Sequence, residues 1–388
     1  MSKVGIIAEF NPLHSGHRYL LSQAKQLGTV VCAISGNFVQ RGDTAICEKR
    51  IRAQMCLNAS ADAVIEIPVL WSMSTAQNFA LGGVSALLFA GCDTLMFGSE
   101  CGDVAVLEKA AHILQSNEFA NSLEKHLEKG ITFAAARQAA AEECGCPKGI
   151  LAGANNNLAI EYIIAAKKLG ANLKFKTVKR QGAAHDSCDV LEHVSASLLR
   201  ERLIAGDMEF CQKYIQRDDL KLLKSQSISD IKNIELAILA ALRLKPKADF
   251  QNLPDLSEGV ENKLYSAIRL ATSLEELYNE IKVKRYTMAR IRRLVLSAVL
   301  GFDNELFMKP LPYIRVLGFN KTGEALIREI CKNPRVPVIL RANQIEYLSP
   351  QAKKVFESEC KATDLFALSL KNPLACGIEY TSKLIKEK

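Results

Sequence analysis

The sequence lacks the features that mark membrane and secreted proteins. No uninterrupted apolar run reaches the roughly 20 residues that a membrane-spanning helix needs. Polar residues from Glu9 onward interrupt the amino-terminal apolar stretch before a signal-peptide core could form. The 12 cysteines show no disulfide framework, and Cys144 and Cys146 have no second pair at zinc-site spacing. These absences predict a cytoplasmic protein with reduced thiols, no membrane partner and no structural metal.

Internal repeats and low-complexity segments are also absent. The 388 residues are 48% hydrophobic and 24% charged, which is typical of an ordinary globular protein with two or three domains. The net charge of +8 is concentrated in one region, because residues 281–341 contain 13 Lys and Arg against 4 Asp and Glu. This stretch is either a solvated helix face or a surface that contacts nucleic-acid phosphates.

The first two hundred residues alternate short apolar runs with helical patterns. Alternation of this kind predicts an α/β fold with a doubly wound parallel sheet, which binds ligands beyond the carboxyl ends of its strands. Predicted helices cover 16–27, 48–59 and 74–89. The predicted strands are 4–7, 30–34, 63–67, 94–97 and 174–178.

From about Gly206 the spacing of apolar residues becomes helical and strand-like alternation is scarce. We therefore predict a catalytic domain over residues 1–205 and a mainly α-helical, basic domain over 206–388. The candidate nucleic-acid contacts in the second domain are Lys282, Lys284, Arg285, Arg290, Arg292 and Arg293.

Two of the six histidines lie three residues apart, directly after the first predicted strand. A helix that begins near Gly16 offers unpaired backbone N–H groups and a positive dipole end, and both attract phosphate. His14 and His17 are one helical turn apart, so their imidazoles can donate to the same phosphate and stabilise charge that develops during reaction. Gly16 leaves room for a base or sugar to approach the backbone.

A second polar motif begins a helix far downstream. Ser195 and Ser197 are good helix-starting residues, and Arg200 lies close enough in sequence to return to the same helix end. Hydroxyls, backbone N–H groups and a guanidinium could together hold the β and γ phosphates of a nucleotide. We therefore predict that these residues and the two histidines act on one triphosphate.

The H-x-G-H motif followed by Ser-Ala-Ser-x-hydrophobic-Arg resembles the nucleotidyltransferase superfamily that includes the class I aminoacyl-tRNA synthetases. More narrowly, the chain resembles the tRNA(Met) cytidine acetate ligase family. The segments that carry this resemblance are GIIAEFNPLHSGHRYLL, SGNFVQRGDTAI, FGSECGD, NNNLAIEY, VKRQGAAHDS, VSASLLR and LPYIRVLGFNKTG.

The resemblance implies a Rossmann-like catalytic domain that uses ATP, with Mg²⁺, to convert acetate into acetyl-adenylate and pyrophosphate. The acetyl group then passes to N4 of the wobble cytidine of elongator tRNA(Met). The implied ATP site also includes Gly102, Arg180 and an Asn of the run 155–157, with Asn155 preferred over Asn156. Gly98 could allow close approach to ribose or base. Within the stretch from Ile7 to Leu20, the implied contacts besides the histidines are Ile7, Ala8, Glu9, Phe10, Asn11, Gly16 and Leu20.

Two other functions stay open at this point: a small-metabolite adenylyltransferase, and a non-catalytic RNA-binding protein with a nucleotidyltransferase-like fold. The oligomeric state is open as well. The loop 35–43 lies at the predicted binding edge, and its Asn37, Gln40 and Arg41 are candidates for lining an acetate or cytidine pocket. His185 is either a candidate for proton handling or a loop histidine whose hydrogen bonds are satisfied within the protein.

Overall fold

A computed structural model describes residues 2–180, 194–225, 228–257, 259–283, 286–307 and 310–387. His185 and two of the predicted basic contacts, Lys284 and Arg285, lie outside the described residues.

The described strands are numbered in chain order. Seven of them form a continuous sheet in the order β10-β8-β5-β2-β1-β6-β7, while β9 pairs with β8, and β3 pairs with β4 in a separate hairpin. Their bounds are β1 Ser2–Ala8, β2 Gly28–Ser35, β3 Phe38–Val39, β4 Asp43–Thr44, β5 Ala63–Ile67, β6 Thr94–Ser99, β7 Lys174–Lys179, β8 Ile314–Phe319, β9 Val338–Ile339 and β10 Ile385–Lys386.

The helices that connect these strands are also numbered in chain order. Those before β8 are α1 Ser15–Leu27, α2 Lys49–Asn58, α3 Val69–Ser72, α4 Ala76–Phe89, α5 Val104–Ile113, α6 Asn117–Glu128, α7 Phe133–Glu143, α8 Ala154–Lys168, α9 Ala196–Ile204, α10 Met208–Cys211, α11 Arg217–Ser225, α12 Glu235–Arg243, α13 Val260–Leu270, α14 Leu274–Ile281 and α15 Met288–Leu300. Those after β8 are α16 Lys321–Lys332, α17 Pro350–Ser369 and α18 Ile378–Thr381.

The central strands are apolar without interruption because both faces of the sheet are covered. Along β2, Val31 and Ala33 face one hydrophobic core, while Val30 and Cys32 face a second core on the opposite side. Strands β5, β2, β1, β6 and β7 are parallel to one another. The predicted α/β class is therefore confirmed.

The sheet also takes strands from the carboxyl-terminal half, which the sequence pattern predicts as helical. Strand β8 pairs with β5 in the antiparallel direction, and β9 and β10 then pair with β8. All six residues of β8 are buried, so the strand is an unbroken apolar run that shows no alternation. The division at residue 205 stays a prediction, but the sheet continues across it.

A buried charge cluster joins the two halves, and we define it as Lys49, Glu66, Arg315, Glu359 and Glu379. The Lys49 ammonium contacts all three carboxylates, with Nζ 3.0 Å from Glu359 Oε1 and 2.6 Å from Glu379 Oε1. Arg315 pairs with Glu379 and approaches Glu66. Burial, together with nearby Glu66, raises the pKa of Glu359 to about 8. Burial opposes the charge of Glu379 too, but Lys49 and Arg315 lower its pKa to about 2.

In the part of the chain that the structure describes, no helix is both long and apolar enough to cross a membrane. The eleven cysteines within that part are all free thiols.

Candidate nucleotide site

The order of the strands places a crevice next to β1. The strands that follow β1 in the chain, β2 and β5, lie on one side of β1 in the sheet. The later strands β6 and β7 lie on its other side, so the strand order reverses at β1. At such a reversal the loops that follow the two neighbouring strands diverge and leave a ligand-binding crevice beyond their carboxyl ends. Here those loops are residues 9–14 after β1 and 100–103 after β6, and both contain predicted site residues.

Both histidines of the H-x-G-H motif take part in starting helix α1. His14 is its N-cap residue, and its Nδ1 accepts a hydrogen bond of 3.1 Å from the Gly16 N–H. The His14 N–H in turn donates to Nδ1 of His17 over 3.4 Å. The two rings stack with centroids 3.8 Å apart. With Nδ1 accepting, the proton of each neutral ring lies on Nε2, where it makes that nitrogen a donor. The His17 ring also has a hydrogen bond to the backbone of Pro12.

The surroundings keep both imidazoles uncharged. Burial, with a contribution from Arg180, lowers the pKa of His14 to about 4. Burial lowers the pKa of His17 well below its ordinary value as well, and both His14 and Arg180 add to that shift. Near pH 7 both rings are therefore uncharged and can donate hydrogen bonds only as neutral imidazoles.

The rest of the first loop is held in place by side chains that pack into the protein interior. Phe10 has a φ of 46°, in the left-handed region, and its buried ring meets the His17 ring edge to face at 5.1 Å. The Asn11 side chain accepts a 2.7 Å bond from the Ile46 N–H. Ile7 is buried against helix α4. In this arrangement the backbone of the loop, rather than the side chains of Ile7, Phe10 or Asn11, is available to a nucleotide.

The structure brings the downstream motif to the same loop. Ser195 is the N-cap residue of helix α9 and accepts from the Leu198 N–H at 3.1 Å. The Arg200 guanidinium donates to the Ser197 hydroxyl at 3.1 Å and to the Asn11 carbonyl at 2.8 Å. The two motifs, far apart in sequence, therefore meet at one crevice.

The second wall of the crevice is built by reciprocal hydrogen bonds between the loop that follows β6 and the start of α8. Glu100 accepts from the backbone N–H groups of Asn155 at 3.1 Å and Asn156 at 2.6 Å. Asn156 Oδ1 accepts from the N–H groups of Glu100 and Cys101. Sequence reasoning missed Glu100, whose role depends on a helix start 55 residues away.

The two candidate asparagines have different environments. Asn156 is 4% exposed, and its amide is used within the protein. Asn155 is partly exposed, and its Oδ1 accepts from Arg180 Nη1 at 3.3 Å. Of the two, Asn155 is the one placed beside another predicted ATP contact. The ATP-binding roles of both asparagines and of Arg180 stay predictions.

Two glycines in this wall have steric reasons to be glycine. A Cβ at Gly98 would lie 3.3 Å from Arg180 Cγ. Gly102 has a φ of +67°, and a Cβ there would lie 2.6 Å from Lys179 Cβ. The loop therefore passes close to β7 at a point where any side chain would collide.

Arg52 is a buried arginine that the sequence pattern does not single out. Its guanidinium donates to the backbone carbonyls of Glu9 at 2.8 Å, Ser35 at 3.0 Å and Gly36. It thereby ties the end of β1 to the end of β2. Because these acceptors are backbone atoms from two distant segments, no local motif could have indicated this role.

The loop 35–43 only partly fits the prediction that it lines a pocket. Asn37 is 1% exposed and bonds to the Lys49 N–H at 2.8 Å and to Thr363 at 3.1 Å, so it is a core residue and the prediction for it is wrong. Gln40 donates its backbone N–H to Glu9 Oε1 at 3.0 Å. Burial raises the pKa of Glu9, although Arg200, Arg52 and Arg41 act in the opposite direction. Arg41 is exposed.

The predicted basic contacts differ in their exposure to solvent and in whether they are paired with an acidic side chain. Lys282 is exposed, and Arg292 is partly exposed, with a long contact of 3.7 Å to Asp43. Arg290 binds the backbone and carboxylate of Asp255. Arg293 is 8% exposed and paired, so its placement does not suit a phosphate contact.

Among the described residues, no three His, Cys, Asp or Glu side chains are grouped so that they could hold a metal ion. Glu9, the carboxylate within the first loop, accepts from the Gln40 N–H. A divalent cation here would therefore depend on the phosphates of a nucleotide for most of its ligands.

A mostly parallel sheet with a polar crevice at its strand-order reversal, and a phosphate-attracting helix start beside it, defines a nucleotide-binding α/β protein. A family model described as HIGH Nucleotidyl Transferase matches residues 1–377. A tRNA(Met) cytidine acetate ligase of Thermoanaerobacter sp. (strain X514) is 38% identical over 407 residues, which cover 100% of both chains. The chain therefore belongs to the tRNA(Met) cytidine acetate ligase family of HIGH nucleotidyl transferases.

Solved structures agree with this assignment. The crystal structure of apo TmcAL from Thermotoga maritima has a TM-score of 0.90 and 28% sequence identity, and the match covers 100% of this chain and 99% of that one. A second structure of the same protein, bound with alpha-thio ATP, has a TM-score of 0.89 at the same identity and coverage.

Proposed function

We propose that this chain is an ATP-dependent ligase that acetylates N4 of the wobble cytidine in elongator tRNA(Met), and that it works in the cytoplasm. One observation carries the proposal: the neutral pair His14–His17 and the Ser197–Arg200 pair meet at one loop. The names of the relatives supply the substrates, and the TmcAL structure with alpha-thio ATP supports ATP as the nucleotide. The free thiols are consistent with a reducing compartment.

In the first step a carboxylate oxygen of acetate attacks the α-phosphorus of ATP. The new O–P bond gives acetyl-adenylate, and the bond to the β-phosphate breaks, so pyrophosphate leaves. The Nε2–H groups of His14 and His17 donate to oxygens of the reacting phosphate, where bonds that strengthen with developing charge lower the barrier. Arg200 and Ser197 hold the leaving pyrophosphate, and Arg180 with Asn155 holds the nucleotide from the other wall. Mg²⁺, bound through the phosphates, would neutralise part of their charge.

In the second step the N4 amine of cytidine attacks the carbonyl carbon of acetyl-adenylate. The C–N bond forms, AMP leaves with the electrons of the C–O bond, and the amine releases a proton to solvent water. The target base must leave the anticodon stack to reach the crevice. Of the described basic side chains, Lys282 and Arg292 are the phosphate contacts we propose for tRNA, and Lys284 and Arg285 stay predictions.

The test is incubation with ATP, Mg²⁺, radiolabelled acetate and elongator tRNA(Met), followed by nuclease digestion. We expect the label in a modified cytidine nucleoside. A matched tRNA with uridine at the wobble position, which has no N4 amine, should stay unlabelled. Pyrophosphate release with a small phosphorylated acceptor, but not with acetate, would favour a small-metabolite adenylyltransferase. Tight tRNA binding without pyrophosphate release would favour a non-catalytic RNA-binding protein.

A further inference from the structure

Residues 36–43, which we call the bridging loop, contact the first loop (residues 9–14) on one side and helix α15 on the other. The backbone of Gln40 makes one hydrogen bond on each side. Its N–H donates to Glu9 Oε1 at 3.0 Å, and its carbonyl accepts from Arg293 Nη1 at 3.1 Å. A single residue therefore links the first loop of the ATP site to the basic helix.

Arg293 is fixed at both ends of its guanidinium. While Nη1 bonds to Gln40, Nη2 donates to Asp255 Oδ2 at 2.9 Å. Asp255 has a φ of 62° and also binds Arg290, so it is itself held in place. A planar guanidinium can serve two acceptors in fixed directions, whereas the single ammonium of lysine is a point charge on a flexible stem.

The bridging loop also packs directly on the backbone of α15. Gly42 has a φ of +71°, and a Cβ there would lie 2.6 Å from the Arg293 nitrogen and 2.8 Å from Arg292 Cβ. The approach is closer than any side chain allows, so the loop and the first turns of α15 form one packed unit.

We propose that Arg293 is a positioning residue for the ATP site, acting through Gln40 on Glu9, and is not a tRNA phosphate contact. The inference rests on the proposed function, since it concerns the same nucleotide. It assigns different tasks to neighbouring arginines: Arg292 faces outward for RNA, and Arg293 faces inward and holds the loop.

The test is the Arg293→Lys variant, which keeps the positive charge but loses the planar guanidinium that bonds to two acceptors. Because one charged hydrogen bond is lost, we expect the KM for ATP in acetate-dependent pyrophosphate exchange, and the ATP Kd by calorimetry, to rise about tenfold, which corresponds to about 1.4 kcal/mol. The tRNA Kd should change less than about twofold, because electrostatic attraction to phosphate depends mainly on charge.

The control is Arg328→Lys, whose side chain is 74% exposed and pairs with Glu324 on the surface. It should leave every reading unchanged. Partial unfolding of Arg293→Lys would lower the active fraction, and so the apparent kcat, without raising KM. Asp255→Asn gives an independent variant that should raise the KM for ATP in the same way, and the effects of the two substitutions should not add.

Unchanged ATP affinity in both variants, or weaker tRNA binding with normal exchange, would overturn the inference. Failure of the proposed function looks different, because the wild-type protein would then bind ATP without acetate-dependent exchange. In that case the calorimetric ATP Kd still decides the role of Arg293.

Discussion

The nucleotide crevice and the buried charge cluster both collect polar side chains at the carboxyl ends of central strands, but they leave those groups in opposite states. In the crevice, His14 and His17 are neutral, and their Nδ1 atoms accept from backbone N–H groups, so each ring keeps an N–H donor. In the cluster, Lys49 is enclosed by three carboxylates. The crevice histidines can therefore donate hydrogen bonds to a ligand, whereas the charges of the cluster are neutralised by one another.

The comparison distinguishes polar side chains that we propose bind a ligand, in the crevice, from polar side chains that stabilise the fold, in the buried charge cluster. Burying ions is costly, and a buried pair is tolerated when each charge has its partners. The partners in the cluster come from both halves of the chain, so their pairing depends on how the halves pack. The predictions that follow test each side of this contrast, beginning with the largest expected effect.

Replacing Lys49 by Met should destabilise the protein by about 3–5 kcal/mol, because three buried carboxylates would lose their shared cation. Burial works against the Lys49 charge, but Glu359, Glu379 and Glu66 together raise its pKa above the ordinary value. Urea unfolding would measure the loss. The control is Lys221→Met, at an exposed pair with Asp218, which should cost about 0–1 kcal/mol. Equal losses would show that the cluster contributes no more than a surface pair.

Replacing His14 or His17 by Ala should reduce acetate-dependent pyrophosphate exchange by about a hundredfold to a thousandfold, the usual effect of removing a donor to the transition state. That range corresponds to about 2.7–4 kcal/mol of barrier. His112→Ala, at an exposed position on α5, is the matched control and should exchange normally. Exchange at the wild-type rate in both site variants would make the two imidazoles packing residues.

The stability contributed by neutral His14 should depend on pH. Its folded pKa of about 4 lies below the ordinary 6.5, so the unfolded chain binds more protons between these values. The contribution is therefore complete above about pH 6.5 and decreases as pH falls toward 4, with a slope of at most about 1.4 kcal/mol per pH unit.

Urea unfolding of the wild type and of His14→Asn at pH 7 and pH 5 would measure this slope, since Asn can still cap α1 but does not titrate. The wild type should lose more stability than the variant over that interval. Equal losses would mean that His14 carries an ordinary pKa in the folded protein.

The crevice could be predicted largely from sequence because its chemistry is local. His14, Gly16 and His17 fall within four residues after an apolar run, and Ser195 to Arg200 fall within one helix start. What sequence could not show is which side chains turn inward. Asn37 and Arg293 look like exposed polar residues in a loop and a basic helix, yet both are buried by contacts with segments more than 200 residues away.

The buried charge cluster and strand β8 could not be read from local patterns. The cluster takes its members from α2, β5, β8, α17 and α18, and each member alone looks like a surface charge. Strand β8 lacks alternation because both its faces are covered, and a short apolar run of this kind is not distinguished from a helix by periodicity.

The contribution of β8 and β10 to the sheet also bears on the order of events during synthesis. Lys49 and Glu66 leave the ribosome early, while Arg315, Glu359 and Glu379 emerge near the end of translation. Until then β5 lacks its neighbour β8, and Lys49 and Glu66 lack the other three members of the cluster. The histidine motif is thus synthesised long before the residues that complete the sheet and the buried charge cluster.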